Sequence, residues 1–246
     1  MKETFLIKVN ELDIEAQYDM EKINEVLLPI MKKWTEMQKQ LDRRLIVMLA
    51  AAPGAGKSTL TLFLQQYSKQ LEDVTDIQAV AMDGFFYKPE YLKSHYLPDG
   101  KTFLQEMKGA PETYDVPLFI SKIKEAKEKE ESWWPTYNRA KHCPEDDTLL
   151  VNGKIVLIEG NYLLLNEEPW DEVKTLADDT IFISTDPDGL KERLVGRKMQ
   201  SGYDASFSDN FFYNVDRVNA IRINKNSAPG NTNLYMNADG DYLPVE

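Results

Sequence analysis

The chain has 246 residues, of which 42% are hydrophobic and 11% aromatic, which is enough to bury one substantial core. Its 29 basic and 41 acidic residues give a net charge of −12, which argues against nucleic acid as a partner. A single cysteine excludes an intramolecular disulfide, and the first ten residues lack a signal-peptide pattern, so we expect a cytoplasmic location. The longest apolar run, residues 45–53, is too short to cross a membrane, for which about 20 residues are needed.

The first forty residues have a pattern of their own. Loose alternation of apolar residues over 5–18 predicts two short strands joined by a turn at Asn10 and Glu11. Asp19 is the predicted N-cap of a long amphipathic helix, which Pro29 is expected to kink or restart. We therefore expect residues 1–42 to form a hairpin-plus-helix extension packed on the main domain.

Four short apolar runs predict buried strands of a parallel sheet, because long helix-prone stretches separate most of them. The runs are 45–50, 77–82, 154–158 and 180–184. This alternation is typical of an α/β fold with a doubly wound, mainly parallel sheet flanked by helices. We assign these strands and the helices between them to one domain, residues 43–246.

Two segments interrupt this alternation. Residues 84–153 form a long insertion with a charged helix predicted at 117–131 and an aromatic segment at 133–137. Insertions at strand ends of α/β folds usually build the substrate site. After the fourth strand, residues 187–204 are predicted to form a helical lid.

A phosphate-binding motif follows the first apolar run. Residues 51–58 read Ala-Ala-Pro-Gly-Ala-Gly-Lys-Ser, which fits the pattern G-x-x-x-x-G-K-[ST] except that Ala51 replaces the first glycine. The departure is mild if Ala51 has a negative φ. The motif lies between a predicted strand and a helix predicted at 57–69, and in that context its backbone N–H groups can surround phosphate oxygens. The alternative is a glycine-rich turn without a ligand.

The motif predicts a P-loop NTPase that uses ATP and Mg²⁺. Lys57 is expected to contact the β- and γ-phosphates, Ser58 to bind Mg²⁺, and Thr59 to reach the α-phosphate. The full set of predicted nucleotide-binding residues in the loop and the first helical turn is Pro53, Gly54, Ala55, Gly56, Lys57, Ser58 and Thr59.

Two acids end neighbouring predicted strands. Asp83 follows the second run and Glu159 follows the third, so both are expected at the edge of the sheet where α/β folds bind ligands. Asp83 is the candidate base for an acceptor hydroxyl, and Glu159 the candidate Mg²⁺ ligand, directly or through a water. The reverse division is open, and Asp83 with Gly84 also fits a simple turn.

Two arginines lie four residues apart on the predicted lid helix. Arg193 and Arg197 share one face of that helix, so they are candidates to close over the nucleotide as cations. A solvated surface face is the alternative.

Three further segments extend the pattern. They are Met-Asp-Gly-Phe-Phe-Tyr at 82–87, Lys-Gly-Ala-Pro-Glu-Thr-Tyr-Asp at 108–115 and Ile-Glu-Gly-Asn-Tyr at 158–162. Together with the loop they resemble the pantothenate kinase, uridine kinase and phosphoribulokinase branch of P-loop kinases. The resemblance is closest to bacterial nucleoside/nucleotide kinase-like, or fructose transport system kinase-like, proteins. The chain departs from uridine kinases in having Gly84 within Asp-Gly-Phe-Phe, where they have Asp-Ser-Phe-Tyr.

The resemblance implies an acceptor site and a catalytic set. The implied acceptor-binding residues are Asp83, Phe85, Lys108, Tyr114, Asp115, Tyr137, Arg139 and Tyr162. The catalytic set would be Lys57, Asp83, Glu159 and Arg197, with Asp83 as the base.

The predicted activity is transfer of the γ-phosphate of Mg-ATP to a hydroxyl of a small metabolite, such as a sugar, a nucleoside or a pantothenate-like compound. Two alternatives remain open: a P-loop ATPase or switch that acts on a protein partner, and a silent nucleotide-binding module. No nucleic-acid or membrane partner is expected, and the sequence leaves open whether the protein is a homodimer.

Overall fold

The computed structural model describes residues 2–9 and 12–245. The strands are β1 (Lys2–Val9), β2 (Leu12–Asp19), β3 (Leu45–Ala51), β4 (Ile77–Ala81), β5 (Ser132–Asn138), β6 (Cys143–Val151), β7 (Ile155–Gly160), β8 (Asp179–Thr185), β9 (Thr232–Met236) and β10 (Tyr242–Pro244). The helices are α1 (Met20–Lys39), α2 (Lys57–Ser68), α3 (Pro89–Ser94), α4 (Val116–Glu128), α5 (Lys191–Gln200), α6 (Ala205–Phe211) and α7 (Arg217–Asn226). Within the described residues, no helix is long and apolar enough to span a membrane.

A mainly parallel sheet forms the centre of the fold. Among the described residues its strand order is β10-β9-β8-β3-β7-β4, and β10 alone runs antiparallel to its neighbour. Every residue of β3 is buried, as its unbroken apolar sequence predicts. The four predicted runs correspond to β3, β4, β7 and β8, so the doubly wound α/β fold is confirmed. The carboxyl ends of these parallel strands meet at one edge, where the candidate site lies.

The N-terminal hairpin packs against α2, and α1 packs against the sheet. Strands β1 and β2 pair antiparallel, and Asp19 caps α1 by accepting a hydrogen bond from the Glu21 amide. The predicted turn at residues 10 and 11 lies outside the described residues. A restart at Pro29 is wrong, because α1 continues through it and buries one face on both sides, including Leu27 and Met31. Packing against the core outweighs the hydrogen bond that proline removes.

The insertion after β4 contains α3, α4 and the hairpin β5–β6. Helix α4 ends three residues earlier than predicted, because Lys129 is extended and the chain enters β5 at Ser132. The lid helix α5 begins at Lys191 rather than near residue 187, because Asp186 and Asp188 form a turn in which the Asp188 amide donates to the Asp186 carboxylate at 3.1 Å. Helix α6 and a π-helical turn, Phe212–Asp216, then lead into α7.

Arg44 joins the insertion to the core. Its guanidinium is buried and donates to backbone carbonyls of Ala126, Lys129, Glu130, Val151 and Gly153. We expect Arg44→Met to lower the free energy of unfolding by about 3 kcal/mol or more, because several buried carbonyls lose their donor at once. Urea denaturation checks this. Lys39→Met, which removes an exposed pair with Glu36, is the control and should cost about 0.5 kcal/mol or less; an equal loss in both variants would contradict the prediction.

Candidate active site

The loop between β3 and α2 has the geometry of an anion-binding loop. Gly54 and Gly56 adopt left-handed conformations, with φ of 82° and 76°, which glycine adopts without strain. Ala51 lies within β3 and has no positive φ, so it replaces the usual glycine without backbone cost. No side chain caps the start of α2 at Gly56, so the first amides of this helix are directed at the loop and can receive an anion.

Lys57 and Ser58 begin α2 and connect it to β7. The Lys57 ammonium donates to the Ala52 carbonyl at 3.1 Å and to Asn161 Oδ1 at 2.7 Å. The Ser58 hydroxyl donates to Glu159 Oε1 at 2.6 Å. Burial lowers the pKa of Lys57 and raises that of Glu159, while their opposite charges oppose both shifts. The buried Lys57 ammonium, which is bonded to neutral oxygens, is suited to bind a phosphate. The buried Glu159 carboxylate beside it is suited to bind a cation that accompanies the phosphate.

Asp83 lies on a short 3₁₀ turn, Met82–Phe85, directly after β4. Its carboxylate is half-buried, and within the described part of the chain no side chain or amide donates a hydrogen bond to it. Its charge acts on four groups of the site, namely Lys57, Glu159, Lys108 and Arg197. The structure therefore places a carboxylate with free oxygens between the loop and the insertion.

Two arginines face the same cleft. Arg139, just after β5, is half-buried, and Arg197, on α5, is accessible to solvent although protein surrounds its guanidinium. This surrounding protein, together with nearby Arg139, lowers the pKa of Arg197. Among the described residues, neither guanidinium has a hydrogen bond or an ion pair. The two cations repel each other and have no bound partner, an arrangement suited to an anionic ligand.

Lys108 and Tyr137 form the outer wall of the cleft. The Lys108 ammonium donates to the Tyr137 hydroxyl at 2.7 Å and to the His142 carbonyl at 2.9 Å. It also lies 5.3 Å from the centre of the Phe86 ring and 4.9 Å from that of Tyr137. Burial is the main cause that raises the pKa of Tyr137 to about 12. This wall presents a fixed ammonium group to the cleft.

Four of the predicted acceptor-binding residues have structural contacts within the protein. The rings of Phe85, Tyr114 and Tyr162 are at most 2% exposed. Phe85 packs within 4.9 Å of Trp134, measured between ring centres, and the Tyr162 hydroxyl donates to the Gly109 carbonyl at 2.5 Å. These three rings therefore pack in the core beside the insertion, and their contact with an acceptor stays a prediction.

Asp115 is the fourth of these residues. Its Oδ1 atom accepts a hydrogen bond from the Leu118 amide at 2.9 Å, which caps the N-terminus of α4. The carboxylate therefore caps α4 and helps to fix the position of the insertion, while its contact with an acceptor stays a prediction.

Arg193 lies apart from Arg139 and Arg197. Its guanidinium approaches Met236 Sδ at 3.6 Å and extends toward Gly240, in the turn between β9 and β10. Its neighbour Leu194 packs over Gly54 of the loop. The predicted lid arginines therefore separate: Arg197 lies near Asp83 and Glu159, whereas Arg193 lies beside the loop against the β9–β10 hairpin. Thr59 is half-buried in the first turn of α2.

Three residues of the site carried no assigned role in the sequence. Asn161 receives the Lys57 ammonium, and its place two residues after Glu159 is the signal that could have identified it. Asp216 ends the π-helical turn, and its charge acts on Arg197 and Lys198. The Tyr242 hydroxyl donates to the Ala55 carbonyl at 3.2 Å and thereby supports the loop from behind. No local pattern indicates Tyr242, since 187 residues separate it from Ala55.

Comparison with known proteins agrees with this geometry. Residues 46–207 match the model of the phosphoribulokinase/uridine kinase family. The uncharacterized protein YggC of Escherichia coli (strain K12) is 36% identical over 237 residues, covering 96% of this chain and 97% of that protein. The pantothenate kinase of Shewanella amazonensis is 27% identical over 186 residues, 71% of this chain and 56% of its own length.

A solved structure shows the same fold. The protein from Silicibacter sp. TM1040, provisionally assigned as a fructose transport system kinase, has a TM-score of 0.72 at 27% identity, covering 84% of this chain and 98% of that one. The match of the family model includes the loop, Asp83, Glu159 and Arg197. The chain therefore belongs to the phosphoribulokinase/uridine kinase family and is a P-loop kinase of small molecules.

Proposed function

We propose that the protein transfers the γ-phosphoryl group of Mg-ATP to a hydroxyl of a small metabolite, with Asp83 as the base. The observation that supports this most directly is the free carboxylate of Asp83, which faces both the phosphate-binding Lys57 and the cationic acceptor wall. A hydrolase would need only to position a water. The structure instead has an extended wall beyond Asp83, formed by the insertion, that can hold an acceptor.

The residues of the loop fit a triphosphate and Mg²⁺. The uncapped start of α2 supplies amides, and Lys57 supplies a cation whose present partners are two neutral oxygens that a phosphate can replace. Ser58 and Glu159 would hold the metal ion, because a hydroxyl and a carboxylate in contact are donors that Mg²⁺ accepts. When bound, Mg²⁺ neutralises charge on the phosphate oxygens.

Each side chain of the site then has its own role in the reaction. Asp83 orients the acceptor hydroxyl and takes its proton as the acceptor oxygen bonds to the γ-phosphorus. The bond from that phosphorus to the bridging oxygen breaks, and ADP leaves with the bond's electron pair. Lys57 and Arg197 stabilise the charge on the transferred group. The burial of Lys57 strengthens its attraction to this charge by excluding water.

The decisive experiment measures ADP release with Mg-ATP against a panel of polyols, sugars, nucleosides and hydroxy acids. We expect acceptor-stimulated release by the wild type and a loss of about 100-fold or more in Lys57→Ala, because a buried phosphate ligand is removed. Lys124→Ala, on the exposed face of α4, is the matched control and should retain wild-type rates.

Release that no acceptor stimulates would contradict the proposal and favour the ATPase or switch alternative.

We also propose that the protein acts in the cytoplasm, which rests on its single cysteine.

A further inference from the structure

The insertion carries two cations, Lys108 and Arg139, that form no ion pair within the described residues. The chain has 41 acidic residues against 29 basic ones, so potential partners are in excess. Elsewhere, partly buried cations do use them: Arg222 pairs with Glu112 at 2.9 Å, and Arg43 with Asp178 at 2.7 Å. Within the described residues, Lys108 has no carboxylate within 4.0 Å, and Arg139 has neither an ion pair nor a hydrogen bond from its guanidinium.

The position of Lys108 is fixed by its neighbours. Two of the three ammonium protons are used by the Tyr137 hydroxyl and the His142 carbonyl, which leaves one donor free for a ligand. The backbone around it is also held, since Gly109 accepts from Tyr162 through its carbonyl and donates to Thr113 Oγ1 through its amide. Lys108 is thus a preorganised cation rather than a flexible surface lysine.

Lys108 and Arg139 both belong to the insertion after β4, and Lys108 lies close enough to Asp83 for their charges to interact. Lys57 and Arg197 belong to α2 and α5 and are the cations assigned above to the transferred group. Lys108 and Arg139 remain without an assigned anion. A neutral acceptor would leave both cations partly desolvated and unpaired, which is unfavourable.

The aromatic residues of this wall do not favour a nucleobase. Phe86 stacks on Tyr114 with ring centres 4.0 Å apart and meets the edge of Tyr137 at 5.4 Å. The Lys108 ammonium also approaches the Phe86 ring. These contacts occupy ring surface that a stacked base would need, whereas an oxyanion needs only the free donors at the wall.

We propose that the acceptor carries an oxyanion, a carboxylate or a phosphate monoester, which Lys108 and Arg139 bind while its hydroxyl faces Asp83. This inference rests on the proposed kinase function and adds the substrate class. Both kinds of oxyanion offer the same oxygen acceptors to an ammonium and a guanidinium.

Matched acceptor pairs test the proposal, because each pair differs mainly in the charged group. ADP release is measured with D-glycerate against glycerol, pantothenate against pantothenol, and ribose 5-phosphate against ribose. We expect kcat/KM to be about 10- to 100-fold higher for the charged member of at least one pair. A preference in the first two pairs identifies a carboxylate, and one in the third pair a phosphate.

Two variants assign the effect to the wall. In Lys108→Met and Arg139→Met, the ratio of kcat/KM between charged and neutral members should fall toward one, while KM for ATP stays near the wild-type value. Lys88→Met, which removes an exposed lysine of the same insertion that pairs with Asp146, should leave the ratio unchanged. Urea midpoints of all three variants identify any loss of folding.

The outcomes separate this inference from the function on which it rests. Turnover that depends on Lys57 but is equal or faster with the neutral members would overturn the oxyanion proposal alone. A charge preference that survives in both Lys108→Met and Arg139→Met would also overturn it. Absence of Lys57-dependent turnover with every acceptor would overturn the kinase proposal and this inference together.

Discussion

Asp83→Asn is expected to lower kcat by about 10²- to 10⁴-fold while leaving KM for ATP near its wild-type value. Asparagine keeps the shape of the side chain but cannot accept the proton of the acceptor hydroxyl. Because Asp83 has no hydrogen-bond donor among the described residues, the substitution breaks no such bond of the resting protein. Steady-state ADP release with a saturating acceptor provides the measurement.

Asp146→Asn is the control for this change. Asp146 is an exposed acid of the same insertion that pairs with Lys88, so its replacement should leave kcat unaltered. Full turnover by Asp83→Asn would show that another group takes the proton. The next candidate would then be Glu159, the other acid at this edge of the sheet.

Gly84→Ala is expected to disturb the acceptor wall more than any other single methyl group. A Cβ atom at Gly84 would lie 2.0 Å from the Pro135 carbonyl oxygen and 2.9 Å from the Thr136 nitrogen. These are backbone atoms of β5, so the hairpin that carries Tyr137 and Arg139 has to move. We expect a loss of about 1–3 kcal/mol in the free energy of unfolding and a fall of about 100-fold in kcat/KM for the acceptor.

Gly196→Ala is the matched glycine variant for the stability measurement. It lies inside α5, and a Cβ atom there meets nothing within 4 Å, so alanine should maintain or raise the free energy of unfolding. Urea denaturation measures the expected loss of stability in Gly84→Ala, and acceptor kinetics measure the expected loss of kcat/KM. Wild-type acceptor kinetics in Gly84→Ala would mean that the hairpin position does not control the acceptor site.

The close approach at Gly84 also explains a departure seen in the sequence. Uridine kinases resemble this chain but have serine at the equivalent point of the motif, and a serine here would meet the same backbone oxygen. Serine at residue 84 of this chain would therefore require the β5–β6 hairpin to move.

The parts of the site that are continuous in sequence were predictable. The loop needs a buried strand, a glycine turn and a helix start, and all three are adjacent along the chain. Asp83 and Glu159 were predictable for a related reason, because parallel strands deliver their carboxyl ends to one edge of the sheet. In each case a local pattern fixes the position of the functional group.

Long-range packing determined what could not be predicted. Asp83 and Phe85 belong to one motif, yet the 3₁₀ turn leaves the carboxylate accessible and buries the ring. Tyr114 and Tyr162 contain polar groups, but their rings complete the core between the insertion and the sheet. Which side of a motif faces the cleft depends on partners such as Trp134 that follow much later in the chain.

The support of the phosphate loop by Tyr242 has an evolutionary consequence. The neighbouring Asp241 accepts a hydrogen bond from Lys22 and lies within 3.6 Å of Lys2, so opposite ends of the sequence meet behind the loop. Neither end falls within residues 46–207, the part shared with the family model. Substitutions in either segment can therefore alter the support of the loop without changing any residue of the motifs between them.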